Sequence, residues 1–137
     1  MFVVPDTNVL ISLYRAVAAV AFKERQRWRF RVSSVVESEL LRGVSTEAEA
    51  RFVTNLVRAF PPIAPSVALW RRSGELLSQL REKHGYNAAG LRRVQNDVLI
   101  ALTARSMGYP VLTANVVDFA LIAKFVHDLE VIEFCAI

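Results

Sequence analysis

The sequence predicts a three-layer α/β/α sandwich built on a mainly parallel central sheet. Short apolar runs at Phe2–Pro5, Tyr109–Thr113 and Asp128–Phe134 read as core strands. Between them lie long stretches with apolar residues at three- and four-residue spacings, the mark of amphipathic helices. Strands separated by helices are parallel neighbours, because only a crossover connection returns the chain to the same end of a sheet. Continuous apolar strands also indicate a sheet covered on both faces.

The chain of 137 residues fits one domain, residues 1–137, with room for a sizeable core. Its 53% apolar content excludes disorder, and five glycines with five prolines are too few for a linker-rich protein. A net charge of +4 permits a nucleic-acid ligand or an acidic protein partner and demands neither. Cys135 is the one cysteine, so no internal disulfide forms and a cytoplasmic setting is expected. Phe2 opens the first strand with no basic segment before it, so no signal peptide is expected. The apolar runs also fall short of the roughly 20 residues of a membrane span.

The first strand leads through Pro5 into Asp6-Thr7-Asn8, and a helix follows from about Asn8. Val9, Leu10, Leu13, Val17, Val20 and Ala21 keep helical spacing, in one helix or in two broken near Arg15-Ala16. Lys23 to Arg31 carries five basic residues and one acidic. Its second half alternates, as in a short strand with Trp28 and Phe30 inward, or turns into Val32. The stretch suits either nucleic-acid contact or a solvated helix end with two aromatic anchors.

Ser34 with Glu37 has the form of a capping box, and Gly43 stops that helix. Glu39 lies beside its apolar side without a local task. Thr46 with Glu49 is a second capping box, opening a helix through Phe52, Leu56 and Val57. Pro61, Pro62 and Pro65 force extended or turning chain, with space for a short strand around Ile63. Ser66 caps a long helix through Val67, Trp70, Leu76, Leu77 and Leu80, ending near His84-Gly85. Gly85 to Gly90 reads as a mobile loop, and Asn96 or Asp97 as the cap of the next helix, which runs to Gly108. After the strand at Tyr109–Thr113 the chain turns through Ala114 to Phe119 into another helix.

Asp6 follows one core strand, Asn115 and Asp118 follow another, and Glu39 and Asp97 lie on or just before flanking helices. Open parallel sheets bind ligands outside the carboxyl ends of their strands. Carboxylates gathered there repel one another and need a cation, and hard oxygen donors select magnesium or manganese. Such an ion aligns a phosphodiester and activates water. Acidic residues beside turns are also ordinary helix caps, and spacing alone leaves both readings open. His84 and His127 have no short metal spacing to each other or to Cys135, which argues against zinc.

Asp6-Thr7-Asn8, Ser34 through Glu39-Leu40, Asn96-Asp97 with Ile100-Ala101, and Thr113 through Asp118-Phe119 together resemble the PIN-domain nucleases. The similarity is closest to the VapC-type toxins of prokaryotic toxin–antitoxin pairs and spans almost the whole chain. The resemblance implies a PIN-like fold in which Asp6, Glu39 and Asp97 match the acidic metal ligands and Thr7 matches the hydroxyl residue that orients them. The family's fourth acidic position falls in the motif that Thr113 opens: Asn115 stands where many relatives carry an acid, and Asp118, matching the aspartate of the terminal Asp-Phe pair, is expected to complete the catalytic and metal-binding set with Asp6, Glu39 and Asp97. The implied activity is a magnesium- or manganese-dependent endoribonuclease cutting single-stranded RNA, in tRNA or rRNA loops, by in-line attack of an activated water. It also implies a homodimer and a VapB-like antitoxin whose C-terminal segment enters the active-site groove, and the 53% apolar content points to the early helices as the dimer interface. Arg42, Arg92 and Arg93 are candidates for phosphate contacts, with a solvated role as the alternative.

Three other readings compete. A PIN nuclease acting on DNA would use the same residues. A catalytically degenerate PIN scaffold would bind protein or RNA without retaining the metal. A phosphatase-like site would want a second aspartate two residues after Asp6, where Asn8 stands.

Overall fold

A computed structural model describes residues 1–15 and 28–135. Strands β1 (Phe2–Pro5), β2 (Arg29–Phe30), β3 (Val111–Thr113) and β4 (Val131–Glu133) form one sheet in the order β2-β1-β3-β4. Every pairing is parallel. Helix α1 (Thr7–Arg15) follows β1. Helices α2 (Ser34–Arg42), α3 (Glu47–Ala59), α4 (Val67–His84) and α5 (Ala88–Met107) separate β2 from β3, and α6 (Val116–Ala123) links β3 to β4. The expected α/β/α architecture is therefore present. Val17, Val20 and Ala21, and the basic residues of the 23–27 segment, lie outside the described residues.

The sheet interior is apolar on both faces, with Val3, Val4, Val111 and Leu112 fully buried. Pro5 ends a central strand, a position that usually needs its amide. Val4 and Asp6 donate to Pro110 and Leu112 on the β3 side, so the missing donor of Pro5 falls on the β2 side. The β2 ladder has already ended there, at Phe30. Helix α5 is the central helix of the core, burying Val94, Val98, Leu99, Ile100, Ala101 and Ala104. Helix α4 packs along it and buries Leu76 and Leu80. Each such leucine contributes about 1.5–3 kcal/mol relative to leaving it exposed.

Several caps are as expected. Thr46 accepts from the Glu49 amide at 3.1 Å, and the Ser66 hydroxyl accepts from that of Leu69 at 3.2 Å. Gly85 takes φ 67°, a left-handed turn that stops α4 at little steric cost.

Three local expectations are corrected. The cap of α2 is Ser33, not Ser34: extended Ser33 bridges to Ile63 and accepts from the Val35 amide at 3.1 Å, so Glu37 closes no capping box with Ser34. That single bridge is all the strand pairing found around Ile63. The helix through Val67 and Trp70 runs to His84 as expected, its buried side starting only at Ser73, so these two residues stand 66% and 51% exposed. The supposed mobile loop is only the three residues Gly85, Tyr86 and Asn87, and its second half is helix. Asn87 accepts from the Gly90 amide at 2.8 Å and starts α5 at Ala88. Gly90 is tolerated in that first turn because a Cβ there would meet the Tyr86 ring at 3.2 Å.

Candidate active site

The parallel register brings the ends of β1 and β3 together. Pro5 pairs with Leu112, and the Asp6 amide donates to the Leu112 carbonyl at 2.8 Å, so Asp6 and Thr113 leave the sheet side by side. Thr113 Oγ1 donates to Asp6 Oδ2 at 2.8 Å, while the Thr7 amide donates to Asp6 Oδ1 at 2.8 Å. Both carboxylate oxygens of the buried Asp6 are thus oriented by short hydrogen bonds. Burial pushes its pKa upward, the two hydrogen bonds oppose that shift, and the nearby Glu39 charge adds to it.

Thr7 also reaches across to α2, where its hydroxyl donates to Glu39 Oε1 at 2.8 Å. Sequence left Glu39 without a task, and the structure couples it to the first turn after β1. Ala114 is tied to the same corner by its amide, which donates to Asn8 Oδ1 at 3.4 Å.

Asp97 does not cap a helix. Because Asn87 starts α5, Asp97 falls in the helix interior and projects from its side toward the sheet edge, instead of lying at an N-terminal rim. It is half-buried, and its carboxyl is pushed up to about 7. Burial is the largest cause, followed by the charges of Asp6, Glu39 and Asp118, with Arg93 pulling the other way. Four carboxylates from four elements are therefore close enough to act on one another.

Asp118 lies in the first turn of α6, buried, with Asn115 at the cap position. Asn115 makes no side-chain cap; its Nδ2 donates to Asp118 Oδ2 at 3.0 Å. Arg93 Nη1 donates to the same oxygen at 2.5 Å. The Asn115 amide in turn donates to Thr113 Oγ1 at 2.9 Å, so Asp6, Thr113, Asn115, Asp118 and Arg93 form one continuous network.

Of the three arginines expected to meet phosphate, Arg93 is committed to Asp118. Arg42 is exposed, 4.0 Å from Glu39, and Arg92 is exposed on α5. Sequence reading missed Arg93 as a counter-charge and Thr113 as the clamp on Asp6. A lone threonine at a strand end is too common to signal either the partner or the role. Beside Glu39 a cleft of about 170 Å³ opens between α1, α2 and α3, lined by Ile11, Tyr14, Arg15, Leu40, Phe52 and Glu49 among others.

Asp6, Glu39 and Asp97 present hard oxygen donors, the chemistry of magnesium or manganese sites. Among the described residues no three acidic, histidine or cysteine side chains are already gathered into a metal site. The mutual repulsion felt by Asp97 is nevertheless what a divalent cation relieves, so the donor set fits one.

Residues 3–124 match the PIN domain pattern. The chain belongs to the PIN domain family. Members are generally nucleases, which suits an acidic cluster at a sheet edge. Similar solved structures include VapBC2 from Rickettsia felis bound to a promoter DNA fragment, at 20% identity and TM-score 0.74, covering 98% of this chain and 100% of that one. VapBC-1 from nontypeable Haemophilus influenzae is 24% identical with TM-score 0.70, covering 97% and 98%. DNA-bound VapBC from Salmonella typhimurium is 21% identical with TM-score 0.71, covering 98% of each chain. At these identities the likeness is one of fold. No curated protein matches this PIN domain in sequence. Among its described residues no helix is long and apolar enough to cross a membrane.

Proposed function

We propose that this PIN domain is a magnesium- or manganese-dependent endoribonuclease of the VapC type, restrained by a VapB-like antitoxin. The observation that carries the reading is the continuous hydrogen-bond network, through Thr7, Thr113 and Asn115, that holds Glu39, Asp6 and Asp118 at the carboxyl ends of β1 and β3, with Asp97 of α5 beside them. A cation held by Asp6, Glu39 and Asp97 supplies Lewis acidity, making water a stronger nucleophile and neutralising charge at the phosphate. Thr113 and the Thr7 amide fix the two oxygens of Asp6, and the Thr7 hydroxyl orients Glu39. Asp118 spends one oxygen on Arg93 and Asn115 and would add its charge to the cation's surroundings. Arg93, anchored on Asp118 and more than half exposed, offers its remaining N–H groups to a substrate phosphate.

Single-stranded RNA, in tRNA or rRNA loops, is the substrate class that family membership supports, and cleavage leaves a 5′-phosphate and a 3′-hydroxyl. The cleft beside Glu39 is largely apolar, with Glu39, Glu49 and Arg15 as its charged lining, which suits an antitoxin segment carrying apolar residues and a cation directed at Glu39. Exposed Ile11 and Leu41 on α1 and α2 supply apolar surface for a homodimer. A cytoplasmic location accords with this role.

The test is cleavage of total cellular RNA by the purified protein with magnesium, manganese or chelator, followed by mapping of the new ends. Cleavage with either ion, lost on chelation and in Asp97→Asn, is expected. No cleavage with either ion would leave a binding scaffold instead. Parallel RNA and DNA strands of one sequence distinguish the substrate, and preferential cutting of DNA would overturn the ribonuclease assignment.

A further inference from the structure

The basic, aromatic stretch ending at Arg31 is not used by the carboxylate site. Arg29 and Arg31 lie two residues apart on and just after the edge strand β2, both exposed. Arg29 pairs with Phe2 in register, and the two guanidinium carbons lie 5.8 and 5.9 Å from the centre of the Phe2 ring. Phe2 is 38% exposed and stacks at 5.3 Å on the half-buried Tyr109. Neither arginine forms an ion pair among the described residues, whereas Arg42, Arg51, Arg72, Arg81, Arg93 and Arg105 each face a carboxylate.

An aromatic ring restrains a guanidinium without cancelling its charge, whereas a carboxylate would cancel it. Among the described residues the two cations therefore keep their charge and their N–H donors unpaired with a carboxylate. Side chains two residues apart on a strand share a face at a spacing of about 6.7 Å, comparable to that of successive phosphates in an extended nucleic-acid strand. One edge strand offers a single row of cations, which matches one backbone and not the two of a duplex. Phe2 and Tyr109 add partly exposed ring surface of the kind on which unpaired bases stack. Lys23, Arg25 and Arg27 continue the basic pattern in sequence, outside the described residues. The Arg31 amide donates to the Val3 carbonyl, which puts Arg31 opposite Val4, two residues before Asp6. Both guanidinium groups lie over Phe2, four residues before Asp6 and about 13 Å from it along β1.

We propose that Arg29 and Arg31, held on the ring of Phe2 at the β2 edge, form a phosphate track for single-stranded RNA outside the carboxylate cluster. The choice of RNA rests on the nuclease reading; the polyanion chemistry rests on the arginines alone.

The test measures binding of a fluorescein-labelled, unstructured single-stranded RNA by anisotropy, in chelator, across a salt series. Each arginine that neutralises a phosphate adds about 0.7 to the slope of log affinity against log salt for a single strand. Arg29→Ala and Arg31→Ala should each flatten the slope by about that amount, weakening binding about fivefold at 0.1 M salt, and the double variant should lose both. Arg29→Lys and Arg31→Lys should keep the slope. Phe2→Leu should keep the slope and lower the affinity, because the charges remain but lose their restraint. An unchanged slope and affinity in the double alanine variant would overturn the proposal. Duplex RNA binding as tightly through the same arginines would also overturn it. So would polyglutamate that displaces RNA from the parent through these residues, which would point to an acidic protein partner. Cleavage by the parent is assayed in parallel with magnesium or manganese. Intact slope effects without cleavage would sink the nuclease reading and keep the track, and cleavage with unaltered slopes would do the reverse.

Discussion

The hydroxyl of Thr113 donates to Asp6 Oδ2 at 2.8 Å, joining the ends of two parallel strands that lie 107 positions apart in sequence. Both residues are buried, so neither can exchange this bond cheaply for one to water. Thr113→Val preserves shape and removes the donor. It should destabilise the fold by about 1–3 kcal/mol, the usual cost of leaving a buried polar group unsatisfied. It should also push the Asp6 pKa further up, since a hydrogen bond that favours the charged form is gone. Urea unfolding and a carboxylate titration followed by NMR check the two effects, and an unchanged midpoint would deny Thr113 this role.

Asp97 makes the metal-free protein sensitive to pH. Its folded pKa, about 7, lies above the ordinary value of 3.8, so folding favours the protonated form. The associated stability is fully present below the unfolded value and is lost as pH rises through the folded one. The thermal midpoint measured in chelator should therefore fall between about pH 4 and 7. Each factor of ten in proton affinity is worth about 1.4 kcal/mol. Asp97→Asn should remove most of this slope and stabilise the metal-free protein near neutral pH, and added magnesium or manganese should flatten the slope in the parent. A parent midpoint constant across that range would contradict the buried, repelled carboxylate.

The parallel sheet was legible because Val3, Val4, Val111 and Leu112 are apolar without alternation, as only doubly covered strands are. Helix starts at Thr46 and Ser66 were legible because their hydroxyls have local tasks. The start of α5 was not: Asn87, Asn96 and Asp97 are all capping residues, and Gly85 with Gly90 imitates a break. Only the packing of Gly90 against Tyr86 and the cap at Asn87 decide among them. The acidic residues could be nominated from spacing and resemblance. Their partners could not, because Thr7–Glu39 and Arg93–Asp118 are contacts between elements, and no local periodicity encodes them.

Thr7 offers a test of orientation separate from charge. Its hydroxyl donates to Glu39 Oε1, while its amide, which contacts Asp6, survives substitution. Thr7→Val should leave folding and the Asp6 contact in place but let Glu39 change rotamer. Metal-dependent cleavage should fall, with a higher metal concentration needed for half-maximal rate, and Thr7→Ser should restore much of it. Equal impairment in Thr7→Ser and Thr7→Val would assign the effect to packing.

Arg93 and Asp118 should behave as one unit. The Asp118 oxygen that meets Arg93 also accepts from Asn115, so removing the carboxylate charge weakens both contacts at once and ends the ion pair. Asp118→Asn should lower cleavage strongly, and Arg93→Ala should lower it by releasing the guanidinium from its anchor. The double variant should be little worse than Asp118→Asn alone, because once the anchor is gone Arg93 has no fixed position to lose. Asn115→Ala should cost less than either, since Arg93 still holds Asp118 and a neutral amide contributes orientation without charge. Asp97→Asn is the reference for direct loss of a cation ligand, and Asp118→Asn should weaken manganese binding less than it does. The measurement is cleavage rate against magnesium or manganese concentration for each folded variant, with manganese affinity measured independently. Additive losses in the double variant would mean that Arg93 and Asp118 act separately. A parent-like Asp118→Asn beside an inactive Asn115→Ala would transfer the fourth position to Asn115.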